Sequence, residues 1–205
     1  MDDVEARQSR MNQKSKTRPR GPRPTLPGAP KEPPPDIASM IRVDHAGEFG
    51  ALRIYEGQLA VLRGNPRNSE SVAAIRHMAS QEQEHFDAFD RMVKERGVRP
   101  TALEPVWRVA GFALGAATAL LGEKAAMACT VAVEDVIDEH YSAQIEQLGN
   151  TDPELKEAVV KFHADECAHR DEAIAHGARE APAYPLLSAA IRFSCRIAIG
   201  LSERI

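Results

Sequence analysis

Glu48, Glu82, His85, Glu134, Glu166 and His169 belong to a pattern that occurs twice in the chain. Shifted by 86 residues, Glu48, Tyr55, Gln58 and Leu62 align with Glu134, Tyr141, Gln144 and Leu148. Shifted by 84, Glu82, His85 and Asp87 align with Glu166, His169 and Asp171. In each Glu-x-x-His the two side chains are three residues apart and share one helix face. Four carboxylates and two imidazoles make an oxygen-rich donor set with one nitrogen for each of two cations, which suits iron or manganese better than zinc. Four acidic groups also offset two divalent ions, so the site is nearly neutral and can sit inside a core. Without the ions the carboxylates would repel one another and cost several kcal/mol each to desolvate.

That chemistry requires helices that bring the six groups level. Strong helix formers dominate from Asp36 onward, and Gly and Pro breaks fall near 64–66, 97–100, 149–153 and 181–185. The pattern predicts long helices over 37–63, 68–96, 124–148 and 153–177, an apolar helix over 102–122 and a closing helix over 185–204. Glu48 lies 16 residues before Gly64 and Glu82 lies 14 after Asn68; Glu134 lies 15 before Gly149 and Glu166 lies 13 after Pro153. At the α-helical rise each carboxylate is then ~20–24 Å from its turn, so folding each pair into a hairpin sets its two glutamates level. The expected architecture is all-α: a four-helix bundle made of two hairpins, carrying one Glu on each of two helices and one Glu-x-x-His on each of the other two. Tyr55 and Tyr141 sit seven residues beyond their glutamates on the same stripe. His140 is a candidate for proton delivery, and Asp165 for holding a metal-bound imidazole through its distal N–H. His45, His77, His163 and His176 lack a partner pattern, Asp87 and Asp171 read as solvated, and Cys167 reads as a packing residue.

Residues 109–122 carry no charge and would extend ~21 Å as helix, short of the ~30 Å hydrocarbon core. They fit a crossover between the two hairpins. Trp107 and Arg108 at their entrance, and Arg192, Arg196 and Arg204 along the apolar closing helix, suggest peripheral membrane association or an apolar tunnel for a lipid-like substrate. Residues 1–35 stand apart, with eight of the 14 prolines and eight Lys/Arg against four acids. They read as a disordered, net-positive arm; Asp2, Asp3 and Glu5 weigh against a transit peptide. The domain of interest is then 36–205. A net charge of −4 and 5% aromatic residues argue against nucleic acid as a partner. Three cysteines that cannot all pair fit a reducing compartment, and no apolar stretch resembles a signal peptide, which points to an intracellular protein.

The stretch Ile41-Arg-Val-Asp-His-Ala-Gly-Glu-Phe-Gly-Ala, the run Met-Ala-Cys-Thr-Val-Ala-Val-Glu ending at Glu134, and the closing Leu-Ser-Glu-Arg-Ile closely resemble the demethoxyubiquinone hydroxylase family. The likeness extends from Met40 to Ile205 and includes all six candidate ligands. It implies a ferritin-like bundle with a non-haem di-iron centre that hydroxylates the ring of a polyprenylated demethoxyubiquinol late in ubiquinone biosynthesis, using dioxygen and two electrons. It implies that Glu48, Glu82, His85, Glu134, Glu166 and His169 ligate iron, with Glu82 and Glu166 bridging and Glu48 and Glu134 terminal. It also implies NADH as the external electron source, since the chain lacks a Gly-x-Gly-x-x-Gly fingerprint. The expected location is the cytoplasmic face of a bacterial inner membrane, with the matrix side of the mitochondrial inner membrane as the alternative. A homo-oligomer or other ubiquinone-biosynthesis proteins are the expected protein partners. The six ligands would equally serve a ferritin-like peroxidase or ferroxidase, and the apolar segments would serve a non-catalytic scaffold of a quinone-synthesis complex.

Overall fold

The computed structural model describes residues 36–205, which fold into six α-helices with no strand among the described residues. They are α1 (Ile37–Leu62), α2 (Ser69–Arg96), α3 (Glu104–Leu120), α4 (Glu123–Leu148), α5 (Pro153–Ala175) and α6 (Tyr184–Ser202). The helix ends follow local chemistry. Asp36 and Asp152 cap α1 and α5 by accepting from the Ser39 and Leu155 N–H groups at 3.0 and 3.1 Å. Gly97 ends α2 at φ 63°, a left-handed conformation that a side chain would strain. All six expected helices are present, each within about two residues of its anticipated ends. The expected arm over 1–35 lies outside the described residues.

α1 pairs with α2 and α4 with α5, as the two hairpins require. Their interior has three layers. One apolar cluster gathers Tyr55, Leu62, Val72, Ile75, Met78, Met127 and Val131. A second gathers Ile41, Phe89, Met92, Tyr141, Leu148, Leu155, Val159 and Phe162. The glutamates and histidines of the repeat fall between them in sequence on every helix, so the polar layer is closed off above and below by hydrocarbon.

The crossover helix α3 packs chiefly on the outer side of α1. Glycine makes that approach possible: a Cβ on Gly115 would lie 1.9 Å from the Ile54 carbonyl oxygen, and one on Gly57 2.2 Å from that of Phe112. α6 lies against α4. Arg192 donates to Asp135 at 2.9 Å and Arg196 to Glu139 at 2.8 Å, so two of the three stripe arginines pair with acids of α4 while staying partly accessible. Both pairs recur every four residues on facing helices, which is why they interlock. Trp107 is likewise used internally, its indole N–H donating to Ser202 Oγ at 3.2 Å and tying α3 to α6. What α3 and α6 expose is apolar: Val109 is 69% accessible and Phe193 67%. By length and composition alone, α6 is the one described helix that could cross a membrane.

Candidate metal centre

All six repeat residues are buried, none more than 4% accessible, and all six meet in the polar layer. They form two overlapping donor groups whose ligand atoms lie within 4.8 Å of one another: Glu48, Glu82, His85 and Glu166, and Glu82, Glu134, Glu166 and His169. Glu82 and Glu166 belong to both. This is the shared-carboxylate arrangement expected for a pair of ions.

The imidazoles point the right way. His85 turns Nδ1 inward, 3.1 Å from Glu166 and 3.6 Å from Glu48, and His169 turns Nδ1 to Glu166 at 3.0 Å and Glu82 at 3.3 Å. Their Nε2 atoms face outward, where Asp165 holds His85 at 3.2 Å and Gln81 holds His169 at 3.1 Å. The imidazole that Asp165 meets belongs to the opposite hairpin. Gln81 was missed. The repeat held the signal, because a shift of 84 residues places Gln81 on Asp165. The tyrosines cross over too: Tyr141 donates to Glu48, and Tyr55 to Glu134 at 3.4 Å. His140 meets Asp44 at 3.1 Å, and Gln144 donates to the same carboxylate at 2.7 Å.

The donors fit a pair of divalent cations on the structure's own terms. Glu82 Oε1 and His85 Nδ1 are fully enclosed yet have no hydrogen-bond partner, a situation that is costly unless a further group satisfies them. Proton occupancy tells the same story. Burial, reinforced by the neighbouring Glu82 charge, pushes Glu48 well above the ordinary carboxylate range, and burial with Glu166 does so for Glu134. Burial also opposes charge on Glu82, but the facing imidazoles of His169 and His85 prevail and hold it at about 2. For the histidines burial favours the neutral ring, yet the facing carboxylates win, raising His85 strongly and His169 to about 9. Without metal, burial thus favours the protonated form of Glu48 and Glu134, and the carboxylates favour that of His85 and His169.

A measurable consequence follows, because ligands must be deprotonated to bind. Loading divalent ions displaces protons from this cluster, so apparent affinity climbs as pH rises. Calorimetric titration of Fe2+ in buffers of different protonation enthalpy counts them; uptake without proton release would contradict this assignment of charge.

The remaining groups fall outside this layer. His45 is buried against Phe86, with ring centroids 4.8 Å apart, and burial lowers its pKa. Asp87 and Asp171 are exposed. Asp138, His163 and Cys167 cluster between α4 and α5, but Asp138 is already engaged by His163 and Arg170, each at 2.6 Å. An apolar cleft of about 180 Å³ lies between α1, α3, α4 and α6, lined by Gly50, Ile54, Trp107, Leu114, Val133 and Ile199 among others. Gly47 and Val133 on its wall are chain neighbours of Glu48 and Glu134.

Two hairpins whose facing helices supply two glutamates and two Glu-x-x-His motifs at one level make a ferritin-like helical bundle whose buried donors are compatible with a metal site. The family model described as ubiquinone biosynthesis protein COQ7 matches residues 35–202, and the chain belongs to that family. It is 53% identical over 180 residues to the 3-demethoxyubiquinol 3-hydroxylase of Rhodospirillum rubrum, covering 88% of this chain and 83% of that one. It is 50% identical over 174 residues to a Homo sapiens protein named NADPH-dependent 3-demethoxyubiquinone 3-hydroxylase, mitochondrial, covering 82% and 78%. A Saccharomyces cerevisiae relative, named 5-demethoxyubiquinone hydroxylase, mitochondrial, is 40% identical over 181 residues, covering 81% and 77%.

Proposed function

We propose that this chain is a di-iron monooxygenase that hydroxylates the ring of a polyprenylated demethoxyubiquinol. The observation that carries the reading is the pair of buried donor groups sharing Glu82 and Glu166, in a chain whose relatives carry hydroxylase names. Those names support a hydroxylase over a ferroxidase, a peroxidase or a scaffold. Glu48 and His85 would serve one iron and Glu134 and His169 the other, with Glu82 and Glu166 common to both. Bound there, ferrous ions would supply dioxygen activation, one oxygen atom entering the electron-rich ring and the other leaving as water.

The chain's own residues do the rest. The cleft between α1, α3, α4 and α6 takes the apolar substrate and keeps water from the ring. Asp165 and Gln81 hold the two imidazoles with Nδ1 inward. Tyr141 keeps a proton directed at Glu48, and burial holds its hydroxyl protonated. His140, next to Tyr141, partly exposed and paired with Asp44, is placed to exchange protons with solvent. The apolar faces of α3 and α6, which flank the cleft, would rest on the membrane that stores the substrate. This location would be the cytoplasmic face of a bacterial inner membrane. Two electrons come from an external reduced nicotinamide; the relatives' names print NADPH, whereas the family resemblance suggested NADH, so both belong in the assay.

The test uses protein loaded anaerobically with iron and given dioxygen, a short-chain demethoxyquinol and either nicotinamide. The expected product gains one oxygen atom, followed by mass, in proportion to iron content. Iron oxidation that runs equally well without the quinol and leaves it unchanged would overturn the reading in favour of a ferroxidase.

A further inference from the structure

The two halves of the centre are copies in sequence but not in charge. Asp165 and Gln81 occupy equivalent places, each one residue before its Glu-x-x-His. Each reaches across to the outer nitrogen of the other hairpin's histidine, at 3.2 Å for Asp165 on His85 and 3.1 Å for Gln81 on His169. The two contacts match in length and direction and differ in one respect. Asp165 offers a carboxylate and Gln81 a neutral amide. A carboxylate accepting an imidazole N–H draws the proton toward itself and makes the opposite nitrogen a better donor to a cation, and outer partners of this kind are worth about 10–100-fold in metal affinity.

The geometry points to an unequal pair of cation positions: the one built on Glu48 and His85, backed by Asp165, fills first, and the one built on Glu134 and His169, backed by Gln81, fills second. This rests on the reading of the six buried residues as ligands for two ions. Asp165 and Gln81 are positioning residues in this scheme, acting on the metal only through the histidines. Neither is part of the apolar core, both being partly exposed, so exchanging amide for carboxylate at either place leaves the packing intact. The carbonyl of Gln81 and the carboxylate of a glutamate reach equally far, which makes Gln81→Glu the matching counterpart of Asp165→Asn.

The experiment adds one equivalent of 57Fe2+ anaerobically to the metal-free full chain and reads the iron by Mössbauer spectroscopy. The wild-type protein is expected to show one dominant quadrupole doublet, the two positions sharing iron at about 10:1 or more. A second equivalent then brings up a second doublet of equal area. In Asp165→Asn the favoured position weakens, and in Gln81→Glu the other one strengthens. Both variants should therefore divide the first equivalent far more evenly, while still taking up two irons at saturation. An even division in the wild type, or an unchanged division in both variants, would overturn the inequivalence while leaving the two-metal reading in place. A wild-type chain that never accepts a second iron would instead remove that reading and this inference together.

Discussion

Replacing Glu82 by alanine will strip both metal positions at once. Glu82 belongs to both donor groups, and its side chain is 1% accessible, so its loss is felt at both positions. Its carboxylate also stays ionised despite burial, held at about 2 by the facing His169 and His85. Iron retained after desalting should fall from about two per chain to near zero, and the hydroxylation rate by at least ~1,000-fold, equivalent to about 4 kcal/mol. Glu48→Ala provides the internal contrast. Glu48 sits in one donor group only, so that variant should keep about one iron per chain while losing comparable activity, because a two-ion site with one ion missing has lost its chemistry. Metal analysis alongside product mass separates the two. Two irons retained in Glu82→Ala, with product still formed, would mean that the buried carboxylates do not hold the reactive centre.

Filling the apolar cleft should have the second-largest effect and leave the metal untouched. Gly50 lies on the stripe of α1 that lines the cleft, and a Cβ added there meets nothing within 4 Å. Gly50→Leu therefore extends into the cleft instead of into a neighbour. The helix tolerates it, since leucine is a better helix former than glycine by close to 1 kcal/mol. Against a demethoxyquinol with a prenyl tail, kcat/KM is expected to drop about 100-fold, or ~2.7 kcal/mol of lost transition-state binding. Iron content and the Mössbauer spectrum should stay those of the wild type. If kcat/KM were unchanged, the substrate would have to approach the glutamates by another route, and the cleft between α1, α3, α4 and α6 would be a packing defect with no part in catalysis.

The two kinds of prediction draw on different parts of the molecule. The six buried donors stand on the four helices of the bundle, while the cleft exists only because α3 and α6 are added to it. α3 can lie close to α1 because Gly57, Gly111 and Gly115 remove the side chains that would hold it away. α6 is fixed by Arg192 and Arg196 to Asp135 and Glu139. Substrate access and oxygen chemistry thus have separate structural supports, and each can be disturbed without the other.

Much of this was legible in the residues alone. The six helices, their breaks and the levelling of Glu48 with Glu82 and His85, and of Glu134 with Glu166 and His169, all follow from short-range rules: a fixed rise per residue, a three-residue spacing that shares a face, and equal distances from a turn. Those rules act within one helix or one hairpin, so a repeated motif carries them. What docking decided is everything that crosses from one hairpin to the other. Asp165 serves His85, Gln81 serves His169, and Tyr141 serves Glu48. These partners lie 80, 88 and 93 residues apart. Which ones meet depends on how far each hairpin is rotated when their apolar faces close. The arginines of α6 make the same point, since a basic stripe is the same sequence whether it faces a membrane or a row of acids on the next helix. Periodicity sets the face a side chain occupies; only packing settles what that face meets.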